Sequence, residues 1–246
     1  MRALGIDIGG SGFRMGVFDT ASGALIGNFV KQEHTDSSNP TTVLDAIEQS
    51  VNALGWQGPV GIGFPGVVED NVVKTAPNLG EKWVGADFSS LAHVHGGTFC
   101  MLNDADCVAE GELHFGIGHR GHARVLTLTI GTGLGTTLHT NGTLIPNLEY
   151  GRLPHPTRPG LLEHHLSGRT RTEQNLSLSA WAAQFQEGLD MLEGRLQPDM
   201  IVLYGGIMEH WGDLQPLLNT RAELQAAMLA TTAGPLGAAW SAVNRS

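Results

Sequence analysis

The apolar positions along this chain follow two rhythms. Short, dense runs read as buried strands: Ala3 to Ile8, Phe13 to Asp19, a stretch around Ala24 to Val30, VGIGF at 60–64, FCMLND at 99–104, Val125 to Ile130, and the MIVLYGG that begins at Met200. Between them the spacing widens to three or four. Val43, Ile47, Val51 and Leu54 predict a helix that Pro40 and Thr41 introduce and Gly55 ends. A second helix is expected near Ala105 to Phe115. Leu178, Trp181, Phe185, Leu189, Leu192 and Leu196 mark a long amphipathic helix stopped by Pro198, and a small, apolar helix occupies about Leu236 to Val243. Strands alternating with helices make this an α/β chain.

One pattern occurs twice. LGIDIGGSGFRMGVF and LTLTIGTGLGTTLHT share a plan of apolar strand, glycine turn and second strand, and Gly9 matches Gly131 about half the chain away. The repeat predicts two similar lobes, each opening on a strand–glycine–strand hairpin, facing each other across a cleft. The expected boundaries are 1–104 for a smaller N-terminal lobe, completed by the C-terminal helix at 235–246, and 105–234 for a larger C-terminal lobe. The periods of solenoids and propellers are absent.

Composition narrows the function. The 246 residues, 41% of them hydrophobic, give ample core without covalent staples. A net charge of −10 argues against a nucleic-acid binder, since such domains are basic, so an anionic partner needs a local basic patch. Cys100 and Cys107 cannot build a zinc cluster by themselves, and neither CxxC nor HExxH occurs. A reduced, cytoplasmic protein is expected. The strand pattern begins by Ala3, which leaves no room for a signal peptide, and no apolar run approaches the ~20 residues of a membrane span.

The chemistry gathers at the glycine turns. Without Cβ, the backbone approaches a ligand closely, and successive N–H groups form a nest for phosphate. Gly9, Gly10, Ser11 and Gly12 make the first turn; Gly131, Thr132 and Gly133 make the second, with Ser11 and Thr132 adding hydroxyl donors. One such turn is as readily a plain hairpin, but two at matched positions favour phosphate. Asp7 precedes the first turn, and a carboxylate beside a phosphate nest calls for a cation between them, Mg²⁺ held directly or through water. Asn103 and Asp104 end a strand and begin a helix. Asp104 reads as the helix N-cap and also as a base able to take a proton from an attacking hydroxyl, with Asn103 holding a second hydroxyl. His155, His164 and His165 cluster in one polar segment with no acid or cysteine to complete a ligand set, so an exposed polar loop is favoured over a metal site. Arg152, Arg158, Arg169 and Arg171 sit in that segment against one acid, Glu163, with Arg120 and Arg124 nearby in sequence.

With these in place the chain resembles a sugar kinase of the ROK family, nearly end to end. GIDIGGSG, FPGVV, NDAD, TLTIGTGLG, IPNLEYG and SGRTRTEQNLSLSAWA are most similar to the family's polyphosphate glucokinases. The resemblance implies an actin-like (ribonuclease H-like) two-lobed fold, a hexose such as glucose as acceptor at its 6-hydroxyl, polyphosphate or ATP as donor, and a homodimer. It implies Asp104 as general base, and Gly66, Asn78, Asn103 and Glu149 at the sugar. It implies Asp7 to Gly12 with Arg14, and Gly131 to Gly135, at phosphate, and Gly205 and Gly206 bordering the donor. The sequence departs from the family at three places. Arg152 stands where a histidine follows Glu-x-Gly; the zinc-binding cysteines of many members are absent, so no structural zinc is expected; and Arg14 replaces the lysine of the polyphosphate enzymes, keeping its charge. An ATP-only kinase for another hexose, a sugar-sensing regulator without catalysis, and an actin-like nucleotide-binding protein are the alternatives. The regulator is disfavoured because only six residues precede Asp7, too few for a DNA-binding helix-turn-helix.

Overall fold

The computed structural model describes residues 1–88, 90–91 and 96–245. The chain divides into two units, Met1–Phe115 with Thr231–Ser246, and Gly116–Ala230. In the first, the strands are β1 (Arg2–Ile8), β2 (Gly12–Asp19), β3 (Leu25–Glu33), β4 (Val60–Phe64) and β7 (Phe99–Asn103), in the order β3-β2-β1-β4-β7. β1, β2 and β3 are antiparallel neighbours, whereas β4 runs parallel to β1 and β7 parallel to β4. A short ribbon, β5 (Val68–Glu69) and β6 (Val72–Val73), follows β4.

Helix α1 (Pro40–Ala53) buries Val43, Ile47 and Val51, as their spacing requires, and Asn39 caps it by accepting from the Thr41 amide. These side chains join Leu4, Ile6 and Ile8 of β1 and Trp83 in one apolar core. The other face of the sheet carries α2 (Asp104–Phe115) and the C-terminal helix α7 (Ala233–Asn244). α7 lies on bare backbone: a Cβ at Gly5 would sit 1.7 Å from the Pro235 carbonyl oxygen, and one at Gly61 1.9 Å from that of Ala238. The expected division after Asp104 is therefore displaced. α2 packs along α7, so it stays with the first unit, and the second begins at Gly116.

The second unit repeats the arrangement. β8 (Arg124–Ile130), β9 (Leu134–Thr140), β10 (Thr143–Ile145), β11 (Met200–Tyr204) and β12 (Glu223–Ala226) lie in the order β10-β9-β8-β11-β12, with the same mixture of antiparallel and parallel pairs. Numbered in chain order within each five-stranded sheet, both sheets read third, second, first, fourth, fifth. Three short helices, α3 (Glu163–Leu166), α4 (Gly168–Glu173) and α6 (Trp211–Leu214), accompany the long α5 (Leu178–Leu196). Trp181, Phe185, Leu189, Leu192 and Leu196 of α5 are all buried. Among the described residues, no helix is long and apolar enough to cross a membrane.

Candidate active site

In the first unit the site grows from the β1–β2 hairpin. The Gly9 amide donates to the Gly12 carbonyl at 2.8 Å and closes the turn. His34 pins it to the end of β3, its amide on the Ser11 carbonyl at 2.9 Å and its Nε2 3.0 Å from the Gly9 oxygen. Gly12 lies so close to β3 that a Cβ would be 2.3 Å from the Gln32 carbonyl oxygen. Gly10 and Ser11 are exposed, and their amides enter no hydrogen bond among the described residues. Two unengaged amides on an exposed glycine turn can offer donors to an anion.

Asp7 ends β1, and the hairpin register sets it directly opposite Arg14. Arg14 donates from Nε at 3.2 Å and Nη2 at 2.5 Å, both to Asp7 Oδ2. Burial pushes the Asp7 carboxyl above its ordinary range, and the Arg14 guanidinium opposes that shift. Gly63 of β4 is the meeting point of the unit's chemistry. A methyl there would lie 3.3 Å from Asp7 Oδ1, 3.3 Å from Cys107 Sγ and 3.4 Å from the Asp104 Cα. The bare backbone at Gly63 leaves space beside Oδ1, which makes no hydrogen bond among the described residues. One carboxylate oxygen outside the guanidinium's grip suits a divalent cation bound through water, because small hard cations keep most of their hydration shell.

The N-cap of α2 is Asn103 and not Asp104. Asn103 Oδ1 accepts from the amides of Ala105 at 2.9 Å and Asp106 at 3.2 Å, while its Nδ2 donates to the Gly66 carbonyl at 3.1 Å. Asp104 is the first helical residue, half-buried, and its Oδ1 accepts from the Ala105 amide at 2.8 Å. Gly66 is fixed by a close approach, since a Cβ would stand 2.0 Å from the Thr75 carbonyl oxygen. Asn78 lies in the next turn, exposed and without a hydrogen bond among the described residues. The unit thus brings Asp7, Arg14, Asn103, Asp104 and Gly66 into one chain of contacts, with Asn78 outside it.

In the second unit the Gly131 amide donates to the Gly133 carbonyl at 3.1 Å, with Gly131 and Thr132 exposed. The Arg169 amide, from α4, donates to the Gly131 carbonyl at 3.1 Å. Gly205, with φ 129°, abuts the Ile130 carbonyl oxygen, 2.0 Å from where a Cβ would be, and Gly206 follows it. Glu149 is left-handed at φ 49°, uncommon for a non-glycine residue and a mark of local constraint, and its carbonyl accepts from the Arg152 amide at 3.1 Å. Glu163 was read only as an acid among arginines. Its Oε2 lies 2.9 Å from a Cβ position on Gly133, and its Oε1 is 3.8 Å from Arg152 Nη1. No local pattern marks it, because α3 alone carries it there.

The polar segment is less exposed than expected. His155 is buried, its Nδ1 accepts from the amides of Thr157 and Arg158, and its ring lies 4.8 Å from that of His165. Burial and His165 hold its pKa below the usual histidine value. Among the described residues no three His, Cys, Asp or Glu side chains are grouped to hold a metal. The arginines are not one track either. Arg158 pairs with Glu187 on α5 at 2.5 Å and Arg120 with Glu223 at 3.3 Å. Arg169 is exposed with no ion pair among the described residues, and Arg171 Nε is buried without a partner.

Residues 3–150 match the model of the ROK family. A polyphosphate glucokinase of Mycobacterium tuberculosis (strain CDC 1551 / Oshkosh) is 36% identical over 242 residues, 98% of this chain and 91% of the relative. The crystal structure of an inorganic polyphosphate/ATP-glucomannokinase from Arthrobacter sp. strain KM superposes with a TM-score of 0.91 at 29% identity, covering 100% of this chain and 99% of that one. A ROK family glucokinase from Streptomyces griseus, 23% identical, shares the fold at a TM-score of 0.79 over 97% of this chain and 98% of its own. The fold is the two-lobed, actin-like one of these kinases. With its own model matched from β1 to Tyr150 and such a relative aligned along nearly the whole length, the chain belongs to the ROK family.

Proposed function

We propose that this chain is a hexose kinase, a phosphotransferase that moves a phosphoryl group from inorganic polyphosphate or ATP to the 6-hydroxyl of glucose. The observation that carries the reading is the meeting of Asp7, with Arg14, and Asp104 against Gly63, at the carboxyl ends of the parallel strands β1, β4 and β7. Ligands of α/β sheets bind at that end of the strands.

Asp104 acts as the base. Its carboxylate, oriented by the Ala105 amide, accepts the proton of the 6-hydroxyl as that oxygen attacks phosphorus and the donor's bridging oxygen departs. Asn103 supports the sugar side through its link to Gly66, with Asn78 as a further candidate sugar contact of this unit; Glu149 is the candidate sugar contact of the second unit, taken by itself. In the first unit the amides of Gly10 and Ser11 and the Arg14 guanidinium offer donors to phosphate; in the second unit, taken by itself, Gly131, Thr132, Gly133, Gly205 and Gly206 form the candidate phosphate segment. Mg²⁺, when bound at Asp7 through water, would neutralise phosphate charge.

Arg169 is joined by its amide to Gly131 and is exposed with no ion pair among the described residues, which supports a long polyanion beside the second turn. Neutralising Arg169 and Arg171 should therefore weaken polyphosphate more than ATP. The reading extends to a cytoplasmic homodimer, which a molar mass measured in solution checks.

The experiment is a coupled assay across hexoses with both donors. Asp104→Ala should lower turnover by about 10²–10⁴-fold, the usual contribution of a positioned base, and spare glucose binding. An undiminished rate in that variant would remove the catalytic assignment.

A further inference from the structure

The Arg14 guanidinium is engaged twice on one oxygen. Nε and Nη2 both donate to Asp7 Oδ2, and that oxygen is also pressed against the start of α7, 2.9 Å from a Cβ position on Gly234. Asp7 is buried, with only 7% of its side chain exposed, and is held by β1 on one side and α7 on the other. Arg14 has 29% of its side chain exposed and a long stem. Of the two partners, only the arginine can leave.

A cation brought to this carboxylate meets a positive charge already seated there, and two cations on one buried group repel strongly. A guanidinium fork also matches phosphate oxygens as well as it matches carboxylate. The Gly9–Gly12 turn, whose outer amides at Gly10 and Ser11 are unengaged, separates Asp7 from Arg14 by only a few residues.

We propose that Arg14 and a divalent cation alternate as the charge partner of Asp7, the guanidinium on Oδ2 and the cation, through water, beside Oδ1. Without donor, Arg14 neutralises the buried carboxylate. When the cation arrives with the phosphate donor, the guanidinium moves from Oδ2 to the donor's oxygens. The exchange rests on the kinase reading of this site. It keeps Asp7 paired with a cation throughout, and it makes the cation bind well only in company with the donor. Arg14 is then both the charge that repels a cation arriving alone at Asp7 and a contact to the phosphate.

The test is Mn²⁺ binding to the donor-free protein, followed by the paramagnetic resonance of free Mn²⁺ at about pH 8, well above the carboxylate range. Arg14→Gln should bind Mn²⁺ about tenfold more tightly, a small part of the repulsion between charges this close. Arg14→Lys keeps the charge and should stay within about twofold of the original protein. Asp7→Asn should abolish the site in either background. Unchanged or weaker binding by folded Arg14→Gln overturns the exchange. A second measurement needs no variant: the Arg14 Nε–H resonance should move when Mg²⁺ and inorganic tripolyphosphate are added together, and its staying in place overturns the proposal. Failure of the kinase reading would show separately, as no glucose phosphorylation by the unsubstituted protein with either donor.

Discussion

Glu110 has no exposed surface, and its two carboxylate oxygens meet Arg245 at 2.5 Å and His114 at 3.2 Å, with the His114 ring stacked on Trp240. Removing the guanidinium leaves a charge in the interior with weaker compensation. Arg245→Ala should cost about 3 kcal/mol, the lower end for a buried pair broken on one side because Arg245 itself is partly exposed. Thermal unfolding reads it, and an unchanged Tm would contradict it. Glu187 is a contrasting case at the surface. Hydrogen bonds from Arg158 and Thr157 pull its pKa from 4.5 down to about 2. A carboxyl lower in the folded state contributes stability above its unfolded value and loses it as the pH falls toward 2. The pair is a third exposed, so its worth is within about 1 kcal/mol. Glu187→Gln should flatten that part of the stability-against-pH curve; parallel curves would refute the pairing. Single residues were legible where chemistry forces position. Asp7 precedes a glycine turn and Asp104 follows a strand. Choosing the cap between Asn103 and Asp104 was not legible, since both are short and polar and the end of β7 decides which one leads.

At the scale of elements, α7 has the strictest packing. Gly237 faces α2 so closely that a Cβ would be 1.8 Å from the Cys107 carbonyl oxygen, and this atom cannot rotate away. Gly237→Ala should destabilise the first unit by about 1–3 kcal/mol or more, the range for overpacked cores, measured by denaturant unfolding. An unaffected midpoint would mean that α7 can slide on α2. The helix was expected from Leu236 but begins at Ala233, because Gly234 and Pro235 look like a turn while proline is tolerated in a first helical turn. α5 was legible whole, since five buried residues repeat its period. β10 and β12, with three and four residues, are too short to show one. α3 and α4 are separated at Ser167, which caps α4, and the position of Glu163 over Gly133 went unread with them.

The whole molecule carries a net charge of −10, which repels any polyanion at a distance. Under the proposed reading attraction is then local, as at Arg169 and Arg171 of the second unit, and local attraction between unit charges and a long phosphate chain is salt-sensitive. Raising KCl from about 50 to 200 mM should raise the KM for polyphosphate several-fold and that for ATP less, because only the longer anion contacts many cations. Equal responses would place both donors on the same few contacts. The duplication was legible at this scale: the two glycine hairpins open sheets of identical strand order. The division after Phe115 was not, because it depends on α2 lying along a helix more than a hundred residues later. That pairing has a consequence for how the chain is made. β1 and β4 leave the ribosome with Gly5 and Gly61 uncovered, and the helix that seals them is synthesised only after residues 116–230. Residues 116–230 form a continuous stretch and can fold as they emerge, whereas the unit begun first waits for α7, which follows that stretch. Until then its sheet presents an open apolar groove to chaperones or to other nascent copies, and any shortening of the C-terminal helix strands the protein in that half-built state.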